Sequence, residues 1–164
     1  MATALLIISC SQRKKVQHVR VLKGHPSVEV PLPAIEAYDG PVYRTLRKFR
    51  SEQSENKLPN NLRVLILSAK YGLIFPETEI ETYDLKMTAE RAREMKLDVH
   101  IDLQRCLLFY EVAYRGLDEV FINLGKTYKL VLEGFAWENL SPTEASGGIG
   151  QRVSQMKTWL EGLG

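Results

Sequence analysis

The chain carries the stretch LRVLILSAKYG at residues 62–72, where a run of branched apolar residues leads directly into small and polar ones. Apolar residues at consecutive positions, rather than alternating ones, predict a strand that is buried on both faces. The same pattern recurs at 3–9 and 119–124. Because helical patterns lie between these runs, the sequence predicts a three-layer α/β fold, with a mostly parallel sheet flanked by helices.

Apolar residues at helical spacing predict the helices. The predicted helical segments are a turn at 33–38, a helix that begins at Pro41, a helix at 88–114 with a break near residue 98, and helices at 128–137 and 151–163. Residues 10–33 predict a long loop, 51–61 a surface connection, 73–87 irregular structure, and 138–146 a short extended piece. Cys106 lies on the apolar stripe of the predicted helix at 88–114, which predicts a core position. The 164 residues contain no repeat or linker and predict a single domain spanning 1–164.

The composition excludes several classes of protein. Hydrophobic residues make up 45% and charged residues 26% of the chain, which is typical of a globular protein and not of a disordered, collagen-like or coiled-coil one. The longest apolar runs, 4–8 and 106–110, are too short to span a membrane, and no secretory leader is recognisable, so we expect a cytoplasmic protein. Two cysteines and three scattered histidines predict no disulfide, no metal site and no cofactor.

The net charge of +2 is unevenly distributed along the chain. Residues 1–50 hold nine Lys or Arg against three Asp or Glu. Such a basic segment indicates an anionic partner, such as a nucleotide or a nucleic acid. The alternative is that acidic side chains elsewhere in the chain balance these charges in space.

In parallel sheets, ligands bind beyond the carboxyl ends of the strands. Those ends are residues 9–10, 68–72 and 123–126, so we expect these polar clusters to converge on one crevice. Cys10 is followed by basic residues that favour its thiolate, which predicts a nucleophile, the alternative being a small side chain that ends a strand. Lys70 is a candidate charge for a phosphate or an acid-base group, or simply an exposed lysine. Asp84 is a candidate partner of Lys70 or ligand contact, or a residue that caps a loop.

Two helix starts add candidate anion contacts, because exposed N–H groups favour negative charge there. One is the string Tyr38-Asp39-Gly40-Pro41-Val42-Tyr43-Arg44, and the other is Gly125-Lys126-Thr127-Tyr128. The second lacks the upstream glycine of a Walker A motif, since position 120 is Val, so an ATPase is not indicated. The glycines at 147–150 follow no clear strand and do not form a dinucleotide fingerprint.

Taken in order, several strings resemble the superfamily of YaaA-type peroxide-stress proteins and a related bacterial family of unknown function. The matching strings are residues 8–14 (ISCSQRK), 38–43 (YDGPVY), 67–73 (LSAKYGL), 81–87 (ETYDLKM) and 121–128 (FINLGKTY). The spacing from Cys10 to Lys14 is also similar to that of a motif in the core domain of archaeosine synthase. That motif has prolines at the two positions where this chain has Ser9 and Lys15. The resemblance extends from residue 5 to about 151.

The resemblance implies a uracil-DNA-glycosylase-like fold and a pocket suited to nucleobases or nucleic acid, and it implies no known reaction. Our leading hypothesis is that the pocket at the strand ends binds a nucleotide, a modified nucleobase or a nucleic-acid terminus, and that the protein performs chemistry there. The candidate catalytic residues are Cys10, Lys70 and Asp84, and the candidate ligand-binding residues are Ser9, Ser11, Lys14, Tyr38, Gly40, Tyr43, Arg44, Ser68, Tyr71, Gly72, Tyr83, Gly125, Lys126 and Tyr128.

A second hypothesis is a non-enzymatic DNA- or RNA-binding module of the oxidative-stress type, since the peroxide-stress proteins are linked to DNA binding. Such a module binds the phosphate backbone through basic side chains, and its affinity falls with salt. The candidate phosphate contacts are Arg13, Lys14, Lys15, Arg20, Lys23, Arg44, Arg47 and Arg50.

Overall fold

The computed structural model describes residues 3–19, 23–24 and 26–163. Its strands are β1 (Ala4–Ser9), β2 (Gln17–Val19), β3 (Val28–Val30), β4 (Leu32–Pro33), β5 (Leu62–Ser68), β6 (Gly72–Ile74), β7 (Glu79–Ile80), β8 (Glu119–Asn123) and β9 (Thr143–Glu144). Its helices are α1 (Ala34–Ala37), α2 (Pro41–Ser51), α3 (Ala89–Tyr114), α4 (Lys126–Leu132) and α5 (Ile149–Glu161), with a 3₁₀ turn at Ser54–Asn56. The three strands predicted from consecutive apolar residues are all present, as β1, β5 and β8.

The central sheet of the described residues has the strand order β6-β5-β1-β8-β9. Strand β1 pairs in parallel with β5 and β8, and β9 runs parallel to β8. Strand β6 is antiparallel to β5, in a segment for which the sequence predicted irregular structure. The mostly parallel sheet is confirmed with this correction, and the register puts the carboxyl ends of β1, β5 and β8 at one edge.

Helices cover both faces of the sheet, as the consecutive apolar residues predicted. The side chains of Leu6 and Ile8 belong to one apolar layer with Leu46 of α2 and Met156 of α5. The alternate residues of β1 belong to the opposite layer, with side chains of α3 and α4, among them Leu103. Burying apolar surface on both sides of β1 stabilises the three-layer arrangement.

The long loop predicted at 10–33 contains regular structure. Strands β2 and β3 pair antiparallel, and β4 pairs with β7. The Glu29 carboxylate of β3 accepts hydrogen bonds from the backbone N–H of Thr82, at 3.0 Å, and from its hydroxyl group, which lower the pKa of Glu29. Strands of two or three residues are too short to give an apolar period, so the sequence did not reveal them.

Helix α3 is continuous for 26 residues, so the predicted break near residue 98 is wrong. Buried residues at Met95, Val99 and Leu103 recur every four residues across that point and keep one face on the sheet. Cys106 is half-buried at the border of this core, and burial raises the pKa of its thiol. Helix α4 begins and ends earlier than predicted, and α5 begins two residues before the predicted start.

Candidate functional site

The thiol of Cys10 lies where three strand ends meet. Its backbone N–H donates to the Leu67 carbonyl at 2.9 Å and so extends the pairing of β1 with β5. Its sulfur accepts from the Ala69 N–H at 3.5 Å and lies 2.9 Å from the hydroxyl oxygen of Tyr128 on α4. The structure therefore brings together the residues that follow β1, β5 and β8, as the sequence predicted.

Three hydroxyl groups form a connected cluster beside this thiol, which we call the hydroxyl cluster (Tyr38, Ser68 and Tyr83). The hydroxyl oxygens of Tyr38 and Tyr83 are 2.6 Å apart, and that of Tyr83 is 2.9 Å from Ser68 Oγ. Ser68 Oγ also accepts from the N–H groups of Lys70, at 3.2 Å, and Tyr71, at 3.0 Å. Ser68 thus shapes the turn that carries the candidate residues after β5.

The phenols around Cys10 stay protonated at neutral pH. Burial raises the pKa of Tyr38 to about 12, and it raises the pKa of Tyr83 and Tyr128 further, with the neighbouring Cys10 as a second cause for both. Tyr43 is fully buried, its pKa is also raised, and its hydroxyl donates to the Ser9 carbonyl at 2.8 Å. Tyr43 therefore holds the end of β1 rather than facing a ligand.

Lys14 approaches the hydroxyl cluster from the segment after Cys10. Its Nζ lies 4.1 Å from the centre of the Tyr83 ring and 5.8 Å from that of Tyr38. Burial lowers the pKa of Lys14, and the charges of Cys10 and Asp84 oppose that shift. Lys14 is thus an electrostatic neighbour of the exposed Asp84.

An exposed edge of the site is formed by Tyr71 and Lys70. The rings of Tyr71 and Tyr83 meet edge to face at 5.5 Å, and Lys70 Nζ lies 5.1 Å from the Tyr71 centre and 5.6 Å from the Tyr83 centre. A polar cavity of about 510 Å³ borders Lys70, Tyr71 and Gly72 on the side of α3. Gly72 has a φ of +76°, which a residue with a side chain rarely adopts.

Gly40 and Ser11 approach each other closely at the start of α2. A Cβ atom on Gly40 would lie 2.8 Å from Ser11 Oγ. Backbone hydrogen bonds between the two segments, from Lys15 N–H to the Ala37 carbonyl and from Asp39 N–H to the Arg13 carbonyl, fix this approach. Gly125 precedes α4, which is only seven residues long, and Lys126, the first residue of that helix, is exposed.

Arg44 lies in a separate group of charges around Asp39. The Asp39 carboxylate contacts Arg47 at 2.8 Å, Arg44 at 3.2 Å and Arg13 at 3.6 Å. Hydrogen bonds from Arg44 hold the pKa of Asp39 at about 2. One carboxylate facing three guanidinium groups leaves this surface positive.

The strand ends are supported by Asn123, which the sequence placed in the polar cluster after the third strand, and by two arginines that the sequence did not indicate. The buried Asn123 ends β8, and its Oδ1 accepts from Arg152 of α5 at 3.1 Å. Arg91 of α3 donates from Nε to the Ala69 carbonyl at 2.8 Å and from Nη2 to the Lys70 carbonyl at 3.2 Å. The sequence signal for this support was the polar residue Asn123 at the end of an apolar run. The residues around Arg91 and Arg152 in the sequence do not indicate a contact with these strands.

Two kinds of site are not found in the part of the chain that the structure describes. No group of three or more His, Cys, Asp or Glu side chains is arranged to hold a metal ion there. Among the described residues, no helix combines the length and apolarity that crossing a bilayer demands.

The sequence string around Cys10 and the strings that build the hydroxyl cluster all fall within one family match. Residues 2–120 match the family described as peroxide stress protein YaaA. No curated protein and no solved structure matches the chain significantly. Because the family match covers well over half of the 164 residues, the chain belongs to the YaaA family of peroxide stress proteins.

Proposed function

We propose that this stress-family protein binds a nucleotide, a modified nucleobase or a nucleic-acid terminus at the Cys10 site in the cytoplasm, and performs chemistry on it there. The observation that carries the proposal is the convergence of the Cys10 thiol, the Tyr128 hydroxyl and the hydroxyl cluster at the carboxyl edge of a parallel sheet. That edge is where open α/β sheets bind their ligands. A uracil-DNA-glycosylase-like arrangement of the sheet is part of this proposal.

The exposed aromatic edge suits a planar ligand that carries negative charge. Tyr71 is 39% exposed and offers a ring for stacking, with the Tyr83 ring behind it. The ammonium groups of Lys14 and Lys70 both lie within 6 Å of the Tyr83 ring, from two different segments of the chain. Stacking on tyrosine with lysine beside it is the recognition chemistry of a base and its phosphate.

The thiol is the reactive group in this proposal. Cys10 supplies the nucleophilic sulfur, and the protonated phenols of Tyr83 and Tyr128 donate hydrogen bonds toward it. Lys14 and Lys70 neutralise ligand charge, and Asp84 orients the base or transfers a proton. Tyr43 and Ser68 keep the strand ends in place.

A thermal-shift screen against nucleosides, nucleotides and deazaguanine bases tests the proposal, because a bound ligand stabilises the folded chain by mass action. We expect one of these ligands to raise the unfolding temperature of the unsubstituted protein, which we call the parent. This ligand-induced shift should be smaller in Lys70→Ala, and it should differ from that of the parent in Cys10→Ala. Lys157→Ala is the matched control, since Lys157 is exposed on α5 and paired with Glu161. Variants that bind and turn over every nucleoside ligand like the parent would count against the site.

The positive surface around Asp39 favours a second candidate, a DNA- or RNA-binding module. Arg13 and Arg44 are the most exposed members, with 74% and 54% of their side chains accessible. Arg47 is less available than predicted, because it donates to the carbonyls of Ile35 and Tyr38, and Arg50 pairs with Glu36 at 2.6 Å. Arg20 lies outside the described residues, whereas Lys23 is exposed.

Titration with duplex DNA and with a single-stranded RNA at two salt concentrations distinguishes the candidates. A module that neutralises many phosphates loses affinity steeply as salt rises, whereas a nucleotide that meets only Lys14 and Lys70 loses much less. Arg44→Gln is expected to reduce the salt dependence of nucleic-acid binding. An Arg44→Gln variant with the parent's salt slope would exclude this surface.

A further inference from the structure

A second cavity lies at the end of the sheet opposite to Cys10. Its volume is about 620 Å³, and it is bordered by Leu62 and Val64, where β5 begins, and by Tyr110 and Tyr114, where α3 ends. Strand β6 pairs only with Ile66–Ser68, so the edge of β5 before Ile66 has no strand partner among the described residues. A cavity of this size falls in the range that holds small organic ligands.

Two arginines reach this cavity with unused donors. Arg50 of α2 and Arg63 of β5 both line it, and each has a buried Nε atom with no hydrogen-bond partner among the described residues. Of the other guanidinium atoms, Arg50 Nη2 pairs with Glu36 at 2.6 Å and Arg63 Nη1 donates to the Leu62 carbonyl at 3.4 Å. Buried unsatisfied N–H groups are unfavourable, so each guanidinium group has hydrogen-bonding capacity that the described part of the protein does not use.

Aromatic side chains form the rest of the wall. The Arg63 guanidinium lies 3.8 Å from the centre of the Tyr114 ring, a stacking distance that leaves the in-plane N–H groups free to donate. Phe75 and Phe109 also line the cavity, and they are 49% and 61% exposed although they are large and apolar. Exposed aromatic rings beside a cation are suited to a flat apolar ligand with an anionic end.

The charge of the lining limits that ligand to one negative charge. Its ionisable residues are three cations and two carboxylates, namely Arg50, Arg63, Lys57, Glu36 and Glu77. Lys57 pairs with Glu55 outside the cavity at 2.7 Å and Arg50 pairs with Glu36, so among the described residues Arg63 is the lining cation that takes part in no ion pair. One carboxylate matches this charge in the planar geometry that guanidinium prefers. A phosphate ester with two charges would face Glu36 and Glu77 with one charge uncompensated.

We propose that this cavity is a binding site for a planar aromatic carboxylate, with the carboxylate against the guanidinium groups of Arg50 and Arg63 and the ring against Phe109 and Tyr114. The site is independent of the Cys10 site, because none of the candidate residues of that site lines it.

Calorimetric titration of the full chain with 2-naphthoate, and with the neutral 2-naphthamide as its isostere, tests the proposal. We expect 2-naphthoate to bind and the amide to bind at least about tenfold more weakly, since a charge-assisted hydrogen bond is lost. Arg63→Gln should weaken the binding of 2-naphthoate by a similar factor. Arg93→Gln should leave this binding unchanged, because Arg93 is an exposed residue of α3 outside the cavity.

Phe109→Ser provides an independent variant, because this exposed ring can be removed without opening the core. This substitution should weaken the binding of both 2-naphthoate and 2-naphthamide. Circular dichroism should show that Phe109→Ser and Arg63→Gln keep the helix content of the parent. The proposal is overturned if 2-naphthoate does not bind at up to about 5 mM. It is equally overturned if the acid and the amide bind alike, or if folded Arg63→Gln and Phe109→Ser bind 2-naphthoate like the parent.

Discussion

The sulfur of Cys10 lies 2.9 Å from the hydroxyl oxygen of Tyr128, although 118 residues separate them in the chain. Cys10 directly follows β1, and Tyr128 lies in the first turn of α4, which follows β8. Since β1 and β8 are parallel neighbours, the two segments that leave them must begin side by side. The contact between thiol and phenol is thus a direct product of strand pairing.

We expect Tyr128→Phe to slow the alkylation of Cys10 by iodoacetamide about fivefold, because the loss of a hydrogen bond to sulfur destabilises the reacting thiolate. The raised pKa of Tyr128 keeps its hydroxyl protonated and able to donate at neutral pH. Peptide-resolved mass spectrometry measures the rates at Cys10 and Cys106 in one experiment. Cys106 is the internal reference, and an unchanged or faster rate at Cys10 would contradict the donor role of Tyr128.

Ser68→Ala should destabilise the protein by about 1–3 kcal/mol, because the buried Oγ is shared by two phenols and two backbone N–H groups. Urea unfolding monitored by fluorescence gives the change in the free energy of unfolding. Ser154→Ala, on the exposed face of α5, is the control and should change stability little. Equal stabilities of the two variants would show that the hydroxyl cluster contributes nothing to the fold.

Asp39→Asn should lower stability at neutral pH and lose this effect in acid. The guanidinium of Arg44 depresses the pKa of Asp39 from 3.8 to about 2 in the folded chain. A carboxylate with a depressed folded-state pKa stabilises above its unfolded pKa, and the contribution disappears as the pH falls through the folded value. The difference between parent and variant should therefore shrink between pH 3.8 and about 2 in a series of urea unfolding curves. A difference that does not depend on pH in this window would contradict the ion-pair assignment.

Gly40→Ala should destabilise the protein by about 1–3 kcal/mol, because its Cβ would lie 2.8 Å from Ser11 Oγ. Combining it with Ser11→Gly removes the opposing side chain and should restore part of the loss. Gly150→Ala is the matched comparison, since nothing lies within 4 Å of its Cβ position inside α5, and it should stabilise by about 0.5–1 kcal/mol. Thermal unfolding of the three variants checks the signs, and a Gly40→Ala protein as stable as the parent would be inconsistent with the close approach.

The local pattern of residues predicted where the strands end more completely than it predicted what surrounds those ends. Ser68, Tyr71 and Gly72 follow an apolar run, so their place at a strand end could be inferred before the structure was known. The support that Arg91 gives to the Ala69 carbonyl could not be inferred, because it depends on how α3 packs across the sheet. The same holds for β6, which exists because Gly72 turns the chain back along β5.

The order of the buried strands and helices follows from the sequence alone, because consecutive apolar residues are buried on folding wherever they lie in the chain. It also placed polar residues after each strand, and parallel pairing then brought those residues to one edge. The packing of the folded chain sets which side chains touch, such as Lys14 and the Tyr83 ring, and where, among the described residues, the two arginine Nε atoms without a partner lie. Such contacts join segments far apart in the chain, and their geometry follows from packing, which no local pattern of residues encodes.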